Sequence, residues 1–296
     1  LIYRKAATGV FPKLASANAL LRGRPVDIAT IMVPMGRAEA TAEELGLIST
    51  FARQIGARVL GAMAREVTPA LYYGAGEVAD EVLEQDRQRL RKELGAAEKR
   101  FRSAVGVEHP AVEWRSSLDW PTDFALCEAR SADLIVHVRR PVRANDDLEL
   151  ASLVLKAGRP VLLLSESGLA MPPKILVAWK DTREARGSIR DALPILRRAS
   201  EVHVVEIVEG DWSQPAAERN LKDVVGWLAT HKVEATSAAY RSTGKITEQI
   251  DVEARRLGAD LIVAGGYGHT RLGEWVFGGM THHLITSCEI SVLLAH

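Results

Sequence analysis

The sequence predicts an α/β protein made of two similar halves, each a five-stranded parallel sheet flanked by helices. Three observations carry that prediction. Short apolar runs alternate with segments of helical period along the chain. The order of these elements repeats in the second half. One stretch recurs almost letter for letter: Ala132-Asp133-Leu134-Ile135-Val136 returns as Ala259-Asp260-Leu261-Ile262-Val263.

In the first half, strands are predicted over 28–34, 58–67, 111–115, 134–138 and 161–164. The run at 28–34 ends in Met35-Gly36. Residues 41–55 read as a helix because Leu45, Ile48, Ala52 and Ile55 fall on one face. A long helix follows the second strand, with Leu83, Leu90, Leu94, Ala97 and Phe101 at helical spacing. Pro121 opens a helix that runs to Arg130, as suits proline at a first helical position. The runs at 134–138 and 161–164 are short and mainly apolar, as suits buried parallel strands.

The second half repeats the order, with strands over 174–179, 201–208, 233–240, 261–264 and 291–295. Helices are predicted over 183–198, 216–230 and 246–257, with Pro194 placed to kink the first of them. Gly168, Pro172 and Pro173 mark residues 166–173 as the linker. The domains are therefore 27–166 and 173–296, preceded by an extension over 1–26. That extension carries Arg4, Lys5, Lys13, Arg22 and Arg24 and has no acid; it reads as a solvated helix or tail rather than a targeting segment.

Composition excludes several classes. Lys plus Arg and Asp plus Glu both number 38, so nothing in the charge balance calls for nucleic acid. No apolar run approaches the roughly 18 residues of a membrane span. Cys127 and Cys288 are the only cysteines and neither belongs to a Cys-x-x-Cys pair; they read as small apolar residues and suit a reducing cytoplasm.

The chemistry is concentrated in one glycine loop. After the strand at 261–264 come Gly265-Gly266-Tyr267-Gly268; nine residues later Gly278-Gly279-Met280-Thr281 opens a helix. A strand end brings such a loop to the carboxyl edge of the sheet, where open α/β folds bind ligands. Glycines let main-chain N–H groups approach an anion, and a helix N-terminus adds further donors and positive potential. The first half has no such loop. From Ala132 to Val161 is 29 positions, against 33 from Ala259 to Val292, and Arg139-Arg140-Pro141-Val142-Arg143 stand where the glycines would be. Those arginines read as a solvated loop.

Gly265-x-x-Gly268, nine residues, then Gly278 resembles the ATP-binding signature of universal stress proteins. The element order of both halves is similar to that family from about residue 28 to 296, while the signature lies in the second half alone. The resemblance implies adenine and ribose at the ends of the first two strands of that half, near Ala178 and Val208. It implies phosphates held by Gly265, Tyr267, Gly268, Gly278, Gly279, Met280 and Thr281, with Ala264 also in the binding site and ATP with Mg²⁺ as the ligand. It further implies that the closing strands, 161–164 and 292–294, pair with each other as a pseudo-dimer or with a second chain. Two positions depart from the family pattern. Gly279 stands where Ser or Thr is usual, and Lys180 stands where Asp is usual, with Asp181 next to it. Lys180 either meets a phosphate or faces solvent; Asp181 either takes the acidic role or caps the next helix.

The resemblance therefore implies an adenine-nucleotide-binding stress-response protein, cytoplasmic and without efficient catalysis. The alternative is a scaffold of the same fold that acts through protein or small-ligand contacts. No nucleophile elbow or P-loop is present, and no acid/base pair stands out. His282 and His283 read as surface or interface residues, and His269 as solvent-facing. Trp114, Trp120, Trp179 and Trp275 read as packing residues.

Overall fold

The computed structural model describes residues 28–37, 40–67, 77–106, 111–140, 147–210, 213–266 and 279–296. The extension over 1–26 and the loop residues Tyr267, Gly268, His269, Trp275 and Gly278 lie outside them.

The first half runs β1 (Thr30–Met35), α1 (Ala42–Ile55), β2 (Arg58–Ala64), α2 (Glu77–Val105), β3 (Val112–Ser117), α3 (Pro121–Glu128), β4 (Leu134–Val138), α4 (Leu150–Lys156) and β5 (Val161–Leu164). The second runs β6 (Lys174–Trp179), α5 (Arg183–Leu196), β7 (Glu201–Val208), α6 (Gln214–Thr230), β8 (Thr236–Arg241), α7 (Ile246–Leu257), β9 (Leu261–Gly265), α8 (Gly279–Thr286) and β10 (Ser291–Ala295). The predicted strands and helices are all present, with ends shifted by a few residues. The helix expected to reach Arg130 ends at Glu128 and closes in a 3-10 turn over Ala129–Ser131.

All ten strands join in one sheet, in the order β3-β2-β1-β4-β5-β10-β9-β6-β7-β8. Within each half every pairing is parallel. The halves meet where β5 and β10 pair antiparallel, with Val292 opposite Leu163 and Leu294 opposite Val161. Pairing these two strands removes the exposed edge each half would otherwise carry. The sheet is coated on both faces. Leu45, Phe51, Phe101, Ile189 and Leu221 of α1, α2, α5 and α6 pack on one face. Ala125, Leu153, Ile250 and Leu284 of α3, α4, α7 and α8 pack on the other.

The repeated Asp explains why the motif recurs. Asp133 Oδ2 accepts hydrogen bonds from the main-chain N–H groups of Ala29 and Thr30, both at 2.9 Å. Asp260 Oδ2 accepts one from Lys174 at 2.8 Å. In each half this aspartate, at the start of the fourth strand, fastens the start of the first strand and sets their register. Among the described residues, no helix is long and apolar enough to cross a membrane.

Candidate functional site

In each half the strand order reverses direction between the first and fourth strands, which is where doubly wound sheets open a crevice. In the second half, β6 and β9 are those strands, paired from Ile175–Leu261 to Ala178–Ala264. At their carboxyl ends lies a cleft of about 660 Å³, within the range of small-molecule sites. Ala178 and Ala264 form its floor. Gly265, Gly279, Met280 and Thr281 form one wall; Lys180, Glu209 and Lys245 stand at its rim. Seven of the residues singled out from sequence are thus brought together across about a hundred positions of chain.

Gly265 has a packing reason to be glycine. A Cβ there would lie 2.7 Å from the main-chain N of Ala185 and 2.8 Å from the carbonyl carbon of Glu184. The strand end therefore runs directly against the first turn of α5. Gly279 is different: a Cβ there would meet nothing within 4 Å among the described residues. Thr281 is buried at the start of α8.

Two sequence-selected residues fall elsewhere. Asp181 lines a separate cavity and pairs with Arg186. It does not cap α5; Thr182 does so, its Oγ1 accepting from Ala185 N at 3.3 Å. Val208 does not line the cleft. Its carbonyl is taken by Ser242 N at 2.8 Å, and Ile207, one residue earlier and on the opposite face, lines the cleft instead. Lys180 reaches Glu209, 3.7 Å away, with both side chains more than half exposed.

Other cleft residues were not selected from sequence. Glu184 is buried on the wall. Burial works against its ionisation, but hydrogen bonds from Arg183, its own N–H and Thr182 outweigh that and hold its pKa below the usual carboxylate range. A carboxylate at the start of a helix is also favoured by the helix dipole. His283 lines the cleft, and its Nε2 lies 2.8 Å from Asp251 Oδ2, tying α8 to α7. His282, its neighbour, is exposed, as expected for successive positions of a helix. The only sequence signal for His283 is its place one turn into the helix that follows the glycine loop.

The first half fills the corresponding edge. Aligned on the repeated motif, His137, Val138 and Arg139 stand where Ala264, Gly265 and Gly266 stand in the second half. The cavity among Met35, Glu44, His137 and Arg140 measures only about 10 Å³. His137 is buried; burial first, and the Arg140 guanidinium second, push its pKa down to about 4.

Arg139 and Arg140 are not solvated, contrary to the sequence reading, while Arg143 lies outside the described residues. Arg140 faces Glu44 at 3.6 Å, with its side chain 7% exposed. Arg139 is buried and crosses to the other half. Its guanidinium donates to the carbonyls of Leu284 (2.9 Å), Ile285 (3.2 Å), Ile290 (2.9 Å) and Cys288. These are carbonyls at and just beyond the C-terminus of α8, which otherwise lack helical partners and sit at the negative end of the dipole. At the equivalent position Gly266 has no side chain, and a Cβ would lie 2.7 Å from Val154 of α4. Both residues make the same main-chain bond, Arg139 N to Leu164 O and Gly266 N to Ala295 O, each at 2.8 Å. The backbones match while the side chains do opposite things.

Two further expectations are corrected. Trp120 is 58% exposed at the start of α3 rather than packed, whereas Trp114 and Trp179 are packed. Cys127 is exposed beside the Arg130 guanidinium, while Cys288 is buried.

The second half is thus a doubly wound α/β domain with a cleft at its switch point. Residues 171–296 match the family model described as the Universal stress protein family. No curated protein matches the chain. Among solved structures, the chain is similar to a universal stress protein from Archaeoglobus fulgidus DSM 4304. The two are 14% identical, with a TM-score of 0.56, over 91% of this chain and 96% of that one. It is also similar to a functionally unknown protein from Pseudomonas aeruginosa PAO1, at 16% identity and a TM-score of 0.57, over 91% and 93%. These likenesses extend the shared fold over the first half as well.

Proposed function

We propose that the chain is a tandem universal stress protein that binds one adenine nucleotide per chain, in the second half. The observation that supports this most is the contrast between the two switch points: a cleft with Gly265, Gly279 and Thr281 on its wall in one half, and His137, Val138 and Arg139 in the other. The base would lie near Ala178 and Ile207. The phosphates would lie toward Gly265 and the first turn of α8, with Lys180 and Lys245 as cations at the rim. Glu184 and Glu209 are carboxylates in the same cleft, so a polyphosphate there calls for Mg²⁺ as its counter-charge. Among the described residues no positioned nucleophile accompanies the glycine wall, and the protein acts as a regulatory or stress-response binder. Its two free cysteines suit a reducing cytoplasm.

Calorimetry with ATP and Mg²⁺ tests this reading. One site per chain is expected, with turnover below roughly 1 per second. Gly268→Val should abolish binding, because a β-branched residue resists the conformations open to glycine. Gly279→Ser should strengthen it by about 1 kcal/mol through the new hydroxyl, since the added Cβ meets nothing within 4 Å among the described residues. Two sites per chain, or full affinity in the Gly268 variant, would refute the assignment. The Lys180–Glu209 pair and the buried Glu184 favour a second reading, a scaffold without nucleotide. Absence of binding in the wild type together with binding in the Gly279→Ser variant would select it.

A further inference from the structure

The opposite face of the second half carries a larger cavity that the nucleotide reading does not use. It lies between α5 and α6 and measures about 860 Å³. Its apolar lining includes Trp179, Ile189, Val224 and Trp227, and Arg183, Arg186 and Arg190 line it from α5. Two carboxylates, Asp181 and Asp223, also line it, so cations outnumber anions.

The two halves explain why the cavity exists. Helices α1 and α5 are both 14 residues long, and each is capped by the hydroxyl of a threonine, Thr41 and Thr182. Counted from those caps, Leu45 and Ser49 of α1 correspond to Arg186 and Arg190 of α5. In the first half Leu45 and Ser49 are buried, and Ser49 Oγ donates to Val105 O at 3.5 Å, so α1 closes on α2. Arg186 and Arg190 are instead 58% and 71% exposed, and α6 stands off. The second half has exchanged a helix–helix contact for a groove with cationic and aromatic walls.

The walls are available to a ligand. Arg186 and Arg190 pair with Asp181 and Asp191 in exposed ion pairs. Such pairs are worth little in water, so either guanidinium is free to exchange its partner for a ligand anion. Trp227 is 39% exposed and lies with its ring 4.3 Å from that of His231. Trp179 is 8% exposed, and its indole N–H has no hydrogen-bond partner among the described residues. A buried donor left in that state is unusual in a finished interior.

We propose that the groove between α5 and α6 is a second ligand site, for a small organic anion with an aromatic body. Trp179 and Trp227 take the rings, and Arg186 and Arg190 take the carboxylate or sulfonate through charge-assisted hydrogen bonds. The groove is a separate cavity that shares only Trp179 with the lining of the nucleotide cleft, and the proposal stands whether or not that cleft binds ATP.

The probes are anilinonaphthalene sulfonate and its uncharged analogue phenylnaphthylamine, titrated into the full chain and followed by fluorescence. The sulfonate should bind at one site per chain, about tenfold more tightly than the neutral analogue, the equivalent of one good charge-assisted contact. In the double variant Arg186→Leu/Arg190→Ser, which installs the residues of the first half, that preference should vanish while neutral-probe binding persists. Trp227→Ala should weaken both probes. Saturating ATP and Mg²⁺ should displace neither. Equal affinity for the two probes in the wild type, unaltered sulfonate binding in the double variant, or displacement by nucleotide would each overturn the proposal.

Discussion

Replacing Arg139 with Met tests whether the first half holds the second half's helix in place. Methionine keeps the apolar stem and removes the guanidinium. Four carbonyls, of Leu284, Ile285, Cys288 and Ile290, then lose a charged donor in a buried setting. Hydrogen bonds to charged groups contribute roughly 1.5–3 kcal/mol each, but the buried guanidinium also carries a desolvation cost. A net loss of about 3 kcal/mol is the reasonable figure, felt locally at α8 and β10. The thiols provide the assay. Cys127 is exposed and Cys288 is buried, with burial pushing the Cys288 thiol pKa up. Labelling with a disulfide reagent should therefore show a fast and a slow phase, the slow one governed by opening of the α8–β10 segment. A loss of about 3 kcal/mol would speed the slow phase by roughly a hundredfold, leaving the fast phase as an internal reference. Arg139→Lys should fall between, because one ammonium cannot reach all the acceptors that a planar fork spans. A slow phase unaltered in Arg139→Met would refute the argument.

His137, buried with its pKa at about 4 against an ordinary 6.5, binds its proton less readily folded than unfolded. Its contribution is therefore fully present above pH 6.5 and is lost as pH falls toward 4, by about 3 kcal/mol. His137→Leu should flatten that part of a urea-denaturation series run against pH. Gly265→Val should destabilise by roughly 1–3 kcal/mol, since the atoms it meets are main chain of α5, while Gly279→Ala should leave the urea midpoint nearly unchanged. Asp133→Ala should cost more than Asp260→Ala, because the first carboxylate accepts from two N–H groups and the second from one; parallel melts of the two variants decide it.

Local pattern made the strands and most helices readable. Val161–Leu164, Lys174–Trp179 and Ile246–Leu257 begin and end where their apolar runs or periodicity do. Helix α4, only seven residues long, offers barely two turns of periodicity and was not anticipated. The cleft residues were readable because the glycine spacing and the strand ends are local features, and the repeat fixes which strands neighbour. Asp181 was misplaced because its partner, Arg186, lies on the far side of the helix cap. Glu184 and His283 give no local sign of facing the cleft; their positions depend on how α5 and α8 roll against the sheet. Arg139 was misread for a stronger reason. Its acceptors lie about 145 positions away, and a run of arginines after a strand has the composition of a solvated loop.

The two halves show how a repeated fold divides its labour by side-chain volume at a few matched positions. At the switch point, three residues decide the matter: Ala264, Gly265 and Gly266 leave space, while His137, Val138 and Arg139 fill it. On the opposite face the exchange runs the other way, with Leu45 and Ser49 closing the helix pair of the first half and Arg186 and Arg190 holding it open in the second. Both sets of changes put void volume in the second half and close packing in the first. The antiparallel β5–β10 joint then lets the packed half serve the open one. Arg139 extends from the filled switch point, across that joint, to the end of the helix whose first turn lines the cleft. A half that kept glycine at that position would leave its switch point open but would leave the Leu284 and Ile285 carbonyls without their donor. On this argument, the filled switch point of the first half and the support of α8 beside the open cleft of the second are one substitution seen from its two ends.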